Sequence, residues 1–259
     1  MDLQLKAKRA LVSGSTAGIG LAIADALAKE GAAVIVNGRT QKRVDDAMKQ
    51  LRGNVEGIAA DLGTAAGVEA AIARFPDVDI LINNLGIFET KPFEEIDDRD
   101  WLRFFEVNVM SGVRLSRHYL PRMKQRNWGR IIFISSESGV QTPAEMIHYG
   151  MTKTAQLAIS RGLAETTGGT GVTVNSVLPG PTASEGATGF VASVAAQQNI
   201  DAAAVEREFF RSIRPSSLLK RFATTEEVAA LVAFVSSPVA SAINGSALRV
   251  DGGTWRSII

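Results

Sequence analysis

Short β-branched and apolar runs alternate along the chain with longer stretches whose apolar residues recur at helical spacing. The runs are Arg9–Ser13, Ala33–Asn37, Val55–Ala60, Val78–Asn83, Arg130–Ser135, Val172–Leu178 and Ser246–Val250, and each predicts a strand. Between them, Ile19, Ile23, Ala26 and Leu27 form one helical stripe. Leu102, Phe105, Val109, Val113 and Leu120 form a second on a longer helix, and Val228, Leu231, Val232 and Val235 a third. All three stripes are expected to face the core. The alternation predicts an α/β fold: a doubly wound parallel sheet of seven strands with helices on both faces. Residues 183–222 carry no strand signal and only weak helical spacing (Val191, Val194, Val205, Phe209, Phe210), and a connection that long predicts a lid over a substrate. With no repeat or low-complexity linker, 1–259 is expected to form one domain.

Composition narrows the partners. Hydrophobic residues make up 46% of 259 and charged residues 21%, enough for a core and without the polar bias of disorder. Lys and Arg number 28 against 27 Asp and Glu, a net charge of +1, so no basic excess is available for a phosphate backbone or an anionic membrane. Neither nucleic acid nor membrane is expected as a partner. The absence of cysteine excludes disulfides, thiol nucleophiles and thiolate metal sites and fits a reducing compartment. Met1–Ala10 has no continuous apolar segment of a secretion signal, and the expected location is the cytoplasm.

The first strand is followed by Ser13-Gly14-Ser15-Thr16-Ala17-Gly18-Ile19-Gly20, which opens a helix. Glycines at this spacing let the backbone turn tightly and approach a pyrophosphate, while the helix N-terminus offers unpaired N–H donors and a positive dipole end. Strand before and helix after point to a dinucleotide site in a Rossmann-like fold. An acidic residue at the end of the second strand would bind the 2′-hydroxyl of NAD, but the chain has Asn37-Gly38-Arg39 there. A guanidinium can hold a 2′-phosphate by a bidentate pair of hydrogen bonds. NADP is therefore the expected cofactor; NAD stays open if Arg39 is a solvated residue beginning the next helix, as Lys42 and Arg43 nearby also allow.

At the other end of the chemistry, Tyr149 and Lys153 are four residues apart and share one helix face. A phenol titrates near ~10, and an ammonium beside it stabilises the phenolate, which would let Tyr149 exchange a proton with a substrate oxygen near neutral pH. Alone, the Tyr-x₃-Lys spacing is more often structural. Ser135-Ser136 closes a strand whose C-terminal end should face the same crevice, placing a Ser136 hydroxyl where a carbonyl oxygen gains negative charge.

Taken together and in this order, Gly14-x₃-Gly18-x-Gly20, Asn83-Asn84-Leu85-Gly86, Asn108, Ser136, Tyr149-x₃-Lys153, Pro179-Gly180 and Asp251-Gly252-Gly253 resemble the short-chain dehydrogenase/reductase superfamily, in its compact single-domain branch, from about Leu5 to Trp255. The resemblance implies an oxidoreductase moving a hydride between a nicotinamide cofactor and a ketone or secondary alcohol. It implies Tyr149 as acid for reduction and base for oxidation, Lys153 lowering its pKa and holding the nicotinamide ribose, Ser136 orienting the carbonyl and Asn108 positioning a water in a proton relay. It assigns Gly14, Ser15, Thr16, Gly18, Ile19 and Gly20 to the pyrophosphate turn, Asp61 and Leu62 to the adenine, Asn84 and Gly86 to the adenosine side, and Pro179 and Gly180 to the nicotinamide end. Ser13 replaces a frequent threonine, Leu85 a small alanine, and either Thr182 or Ser184 stands in for the family threonine that meets the carboxamide. Family members commonly form homo-oligomers, tetramers or dimers.

Two alternatives remain open: a 3-oxoacyl-thioester reductase of the fatty-acid type, and a non-catalytic dinucleotide-binding regulatory protein. His118 and His148 have no second ligand at metal spacing, so no metal is expected, although His148 beside Tyr149 is a candidate for the substrate pocket. No Gly-x-Ser-x-Gly elbow or P-loop lysine supports a hydrolase or NTPase. Asn244-Gly245-Ser246 is read as a turn rather than a glycosylation site. Arg207, Arg211, Arg214, Lys220 and Arg221 are read as a solvated face, with an acidic or phosphorylated substrate following if they turn inward.

Overall fold

The computed structural model describes residues 1–258, apart from the side chains of Phe190 and Gln198. Seven strands form one sheet: β1 (Arg9–Val12), β2 (Ala33–Gly38), β3 (Val55–Ala59), β4 (Ile80–Asn83), β5 (Gly129–Ile134), β6 (Val172–Pro179) and β7 (Ala247–Val250). Their order is β3-β2-β1-β4-β5-β6-β7 and every pairing is parallel. Each lies within two residues of the predicted run at either end. β5 and β6 are buried along their whole length, and in β5 this shows as the continuous apolar run Ile131–Ile134. The order reverses between β1 and β4, so the crevice for a ligand opens beyond the C-terminal ends of these central strands.

Helices α1 (Gly18–Lys29), α2 (Gln41–Met48) and α9 (Thr225–Val235) contribute to the apolar cluster on one face of the sheet. α3 (Ala65–Arg74), α5 (Ser111–Gln125) and α6 (Ile147–Glu165) contribute to the cluster on the other. Ile23 and Leu27 of the first predicted stripe, and Val228, Val232 and Val235 of the third, are fully buried as expected.

The second stripe holds at Val109 and Leu120 and fails at Leu102 and Phe105. α4 (Asp98–Phe105) runs into α5 through one π-helical turn, Glu106–Met110. The extra residue of that turn rotates the face, so that Leu102 is 69% and Phe105 40% exposed while Phe104, Asn108 and Val109 are buried. Residues 183–222 are helical: α7 (Glu185–Gln198), α8 (Ala202–Glu208) and a π turn at Phe209–Ile213. The base of this segment is fastened by a parallel bridge between Thr182 and Ala223, with Ala183 N–H donating to the Ala223 carbonyl at 2.8 Å. Among the described residues no helix is long and apolar enough to cross a membrane.

Candidate active site

The β1–α1 turn is built for close approach. Gly14 and Gly18 have φ of +61° and +56°, in the left-handed region that an L side chain resists. A Cβ at Gly20 would stand 2.5 Å from the Gly14 carbonyl and from Asn84 Nδ2. Thr40, Thr64 and Thr224 cap α2, α3 and α9 with their side chains, whereas α1 begins at Ala17 with no side-chain cap and no acidic residue in its first turn. Its first N–H groups and dipole end therefore face the crevice uncompensated, the arrangement that suits a pyrophosphate.

Side chains of neighbouring strands hold the turn in shape. Asn37 is buried; its Oδ1 accepts from Gly14 N–H at 3.0 Å and its Nδ2 donates to the Ala60 carbonyl at 3.0 Å. Ser15 Oγ donates to the Val12 carbonyl at 2.7 Å and accepts from Asn37 N–H at 2.9 Å. Asn84 Nδ2 donates to both the Ser13 and Gly14 carbonyls at 3.0 Å, and Ser13 Oγ accepts from the Asn84 and Leu85 N–H groups. Thr16 packs against Gly38, where a Cβ would meet its methyl group at 2.4 Å. Arg39 is exposed and has no hydrogen bond or ion pair among the described residues. Asp61 is exposed and accepts from Gly63 N–H at 3.0 Å, while the Leu62 side chain is buried in the core.

A cavity of about 580 Å³ opens over the strand ends and brings Ile19, Asn84, Gly86, Ser136, Tyr149, Lys153, Pro179, Gly180, Thr182 and Ser184 onto one wall or another. Lys153 comes from the second turn of α6, and its Nζ lies 5.5 Å from the centre of the Tyr149 ring. Nζ donates to the Ile134 carbonyl at 2.9 Å and to Gln156 Oε1 at 3.3 Å. Burial pulls the Lys153 ammonium down to about 8. Burial also pushes the Tyr149 phenol well above its ordinary value; the Glu137 carboxylate acts in the same direction, and a hydrogen bond with Ser136 opposes it. The Lys153 ammonium, with Nζ turned to Ile134 and Gln156, stands close enough to the ring to favour the phenolate, but burial is the larger influence and raises the phenol.

Ser136 Oγ donates to Glu137 Oε2 at 2.6 Å, and Ser135 Oγ donates to the Lys153 carbonyl at 2.8 Å, fastening the end of β5 to α6. Asn108, in the π turn, is buried; its Nδ2 donates to the Ile87 carbonyl and Thr152 Oγ1, and its Oδ1 accepts from Ile87 N–H at 2.7 Å. Its carbonyl accepts from Gln156 Nε2 at 2.6 Å, so Gln156 bridges Asn108 and Lys153. Thr182 Oγ1 donates to the Gly180 carbonyl, whereas the Ser184 hydroxyl has no partner among the described residues and stands beside Gly18.

Sequence reasoning missed Gln156, Glu137 and Phe88. Gln156 follows Lys153 by three residues on one helix face, a signal available in the spacing. Phe88 lies edge-on to Tyr149, and a Cβ at Gly186 would touch its ring at 2.8 Å, so the first turn of α7 rests on it. Glu137 is buried, and burial pushes its carboxyl upward against the Ser136 hydrogen bond and the Arg214 charge. His148 is not in the cavity: it is fully buried against Phe104 and Trp101, with both ring nitrogens unpartnered among the described residues and its pKa lowered by desolvation. Of the basic cluster, Arg211 and Arg221 pair on the surface with Glu208 and Glu227. Arg214 alone turns inward, where Glu137 and Glu145 match its charge. Asn244 is tied into its turn by Val174 N–H and Thr167 Oγ1, with Gly245 at φ +72°. No cluster of three metal-ligating side chains occurs among the described residues.

A doubly wound sheet carrying this turn and this hydroxyl–phenol–amine set defines an oxidoreductase of CH–OH and C=O groups. The family model described as short chain dehydrogenase matches residues 8–195, and the chain belongs to that family. It is 51% identical over 263 residues, covering all of both chains, to a Bacillus subtilis (strain 168) protein named "Uncharacterized oxidoreductase YvrD". It is 34% identical to D-beta-hydroxybutyrate dehydrogenase of Cupriavidus necator, with 96% of this chain and 98% of that protein covered. Among solved structures, L-sorbose reductase from Gluconobacter frateurii, complexed with NADPH and L-sorbose, superimposes with a TM-score of 0.93 at 31% identity over the full length of both chains.

Proposed function

We propose that the chain is an NADP-dependent oxidoreductase that interconverts a ketone and a secondary alcohol, with Ser136, Tyr149, Lys153 and Asn108 as its catalytic set. The observation that carries this reading is the convergence of Ser136, Tyr149 and Lys153 on a cavity that Ile19 of the glycine turn also lines. The uncapped start of α1 and the glycine positions fit a dinucleotide, which when bound supplies the hydride for a carbonyl or takes it from an alcohol.

The chain's own part is the proton and the orientation. Tyr149, protonated at neutral pH, donates its hydroxyl proton to the oxygen of the carbonyl being reduced, and Ser136 donates a hydrogen bond to the same oxygen as its charge grows. Lys153, about 8 by burial, stays largely charged below that pH and holds the ribose hydroxyls. Asn108 fixes the Ile87 backbone and, through Gln156, the Lys153 amine. Gly14 to Gly20 take the pyrophosphate, Asp61 and the Leu62 backbone the adenine, Gly86 the adenosine side, and Pro179, Gly180 and Ser184 the nicotinamide amide. Asn84 serves by clamping the turn.

Arg39, exposed and unpaired at the end of β2, supports NADP over NAD, and L-sorbose reductase was solved with NADPH. The 183–222 segment, resting on Phe88 and hinged at the Thr182–Ala223 bridge, closes the site as a lid. The exposed Leu102 and Phe105 of α4 support a homo-oligomer, which gel filtration would size. The functional test is oxidation of NADPH and NADH against a panel of ketones and acyl thioesters. Turnover of ketones with a clear NADPH preference is expected. Turnover of acyl thioesters alone would favour a 3-oxoacyl-thioester reductase; a 30% identical relative from Aquifex aeolicus is named a 3-oxoacyl-[acyl-carrier-protein] reductase. Cofactor binding without any turnover would favour a regulatory role.

A further inference from the structure

Among the described residues Glu137 is the buried carboxylate of the cavity, and nothing in the proton transfer above uses it. Ser136 Oγ donates to its Oε2 at 2.6 Å, Arg214 Nε stands 3.6 Å from Oε1, and the Ser138 N–H and the Arg214 guanidinium add weaker donation to the same carboxyl. Arg214 is itself drawn toward Glu145, 3.3 Å away. A carboxylate offers about four lone-pair sites, and out of water each unfilled one is costly. Glu137 therefore has acceptor capacity to spare, on a cavity whose remaining walls include the apolar Phe88, Met146, Phe209 and Phe222.

The same bond constrains Ser136. Its single O–H is engaged by Glu137, so it cannot also donate to a substrate carbonyl. With an unsubstituted ketone, turning Ser136 to the carbonyl oxygen takes from the buried carboxylate its shortest hydrogen bond. A substrate with a hydroxyl on the carbon next to the carbonyl removes the conflict: its O–H donates to Glu137 Oε2, and Ser136 is released to the carbonyl oxygen. Oxygens on adjacent carbons are separated by about the length of a hydrogen bond, and so are Ser136 Oγ and Glu137 Oε2.

Building on the carbonyl-reductase reading, we propose that Glu137 is a specificity residue that accepts a hydrogen bond from a substrate hydroxyl adjacent to the reacting carbonyl. The site thus takes hydroxylated ketones, ketoses included, in preference to unsubstituted ones, and Arg214 holds the carboxylate in place. The Glu137–Arg214 pair is also a partition, since both residues line a second cavity of about 400 Å³ with Gln141, Ser216 and Arg256 behind it.

The test compares 3-hydroxy-2-butanone with 2-butanone, which share a carbon skeleton, as substrates for NADPH oxidation by wild type, Glu137→Gln and Glu137→Ala. A site that hydrogen-bonds a substrate hydroxyl rejects the analogue lacking it, so wild type should favour the hydroxy ketone in kcat/KM by about 100-fold or more. Because the hydroxyl also raises intrinsic reactivity, the loss of that ratio in the variants is the sharper readout. Glu137→Ala should lower it by about 10- to 100-fold, the worth of a hydrogen bond to a charged group, and Glu137→Gln, which keeps an acceptor, by less. NADPH fluorescence on binding, unchanged in both variants, shows that the fold and the cofactor site are intact. A wild-type ratio near one, or an equal fall for both ketones in both variants, would overturn the assignment of Glu137. Wild-type turnover of unsubstituted ketones or acyl thioesters only would refute this role and leave the reductase reading standing. No turnover of any carbonyl, with NADPH still bound, would remove the reductase reading itself.

Discussion

Along the crevice, the β1–α1 turn recognises with backbone and the β5–α6 side acts with buried side chains. At the first, Gly14, Gly18 and Gly20 keep Cβ atoms out of the way and α1 leaves its N–H groups uncapped. At the second, three groups that titrate or donate are held in an environment that pushes the phenol up and the amine down to about 8. Geometry sets the first end and desolvation the second. Lesions at the two should therefore appear in different quantities: cofactor affinity for the turn, and rate, pH dependence and stability for the catalytic side.

The largest separation is expected from Tyr149→Phe. Loss of the proton donor should lower kcat for carbonyl reduction by about 10²–10⁴ while the dissociation constant for NADPH hardly moves. Steady-state kinetics with fluorescence titration would check it, and a variant with near-normal kcat would break the division. Gly20→Ala should do the converse. Its Cβ meets the Gly14 carbonyl and Asn84, and overpacking of ~1–3 kcal/mol corresponds to roughly 5- to 150-fold weaker NADPH binding, with kcat at saturating cofactor nearly retained.

Lys153 sharpens the contrast through stability. Its pKa in the fold, about 8, lies below that of an unfolded lysine, so the folded state binds fewer protons between pH 8 and about 10.5. Burying the ammonium costs stability fully below pH 8, and the cost is relieved as pH rises toward 10.5. Lys153→Met should thus be inactive yet more stable than wild type by about 1–3 kcal/mol at pH 7, an advantage that shrinks above pH 8 in denaturant melts. The smallest effect is expected at the exposed Arg39. Arg39→Ala should raise the KM for NADPH about 10-fold and leave that for NADH unchanged; equal changes in both would remove the 2′-phosphate assignment.

What could be read from the chain follows the same division. β-branched runs buried on both faces announce strands whatever surrounds them, and glycine spacing announces a turn that only glycine can make. The α4–α5 stripe reads correctly at Val109 and Leu120 but not at Leu102 and Phe105, because a π turn has no signature in apolar spacing and one extra residue sends those two outward. Asn37 was noticed for the carboxylate it is not, while its side chain holds Gly14 in place, a tertiary contact across 23 residues. Glu137 and Arg214 are separated by 77 positions, and only the fold shows that one turns in to meet the other. The Tyr149–Lys153 spacing places the amine beside the phenol; burial, which spacing does not encode, is the largest influence on both groups.

The most direct measurement follows the hydrogen. Wild type is given a ketone and NADPH deuterated at C4, and the product is analysed by mass spectrometry and NMR. One deuterium is expected on the former carbonyl carbon in wild type, and the same labelled product should form far more slowly with Tyr149→Phe. Product without label at that carbon, or undiminished labelling in the variant, would contradict it.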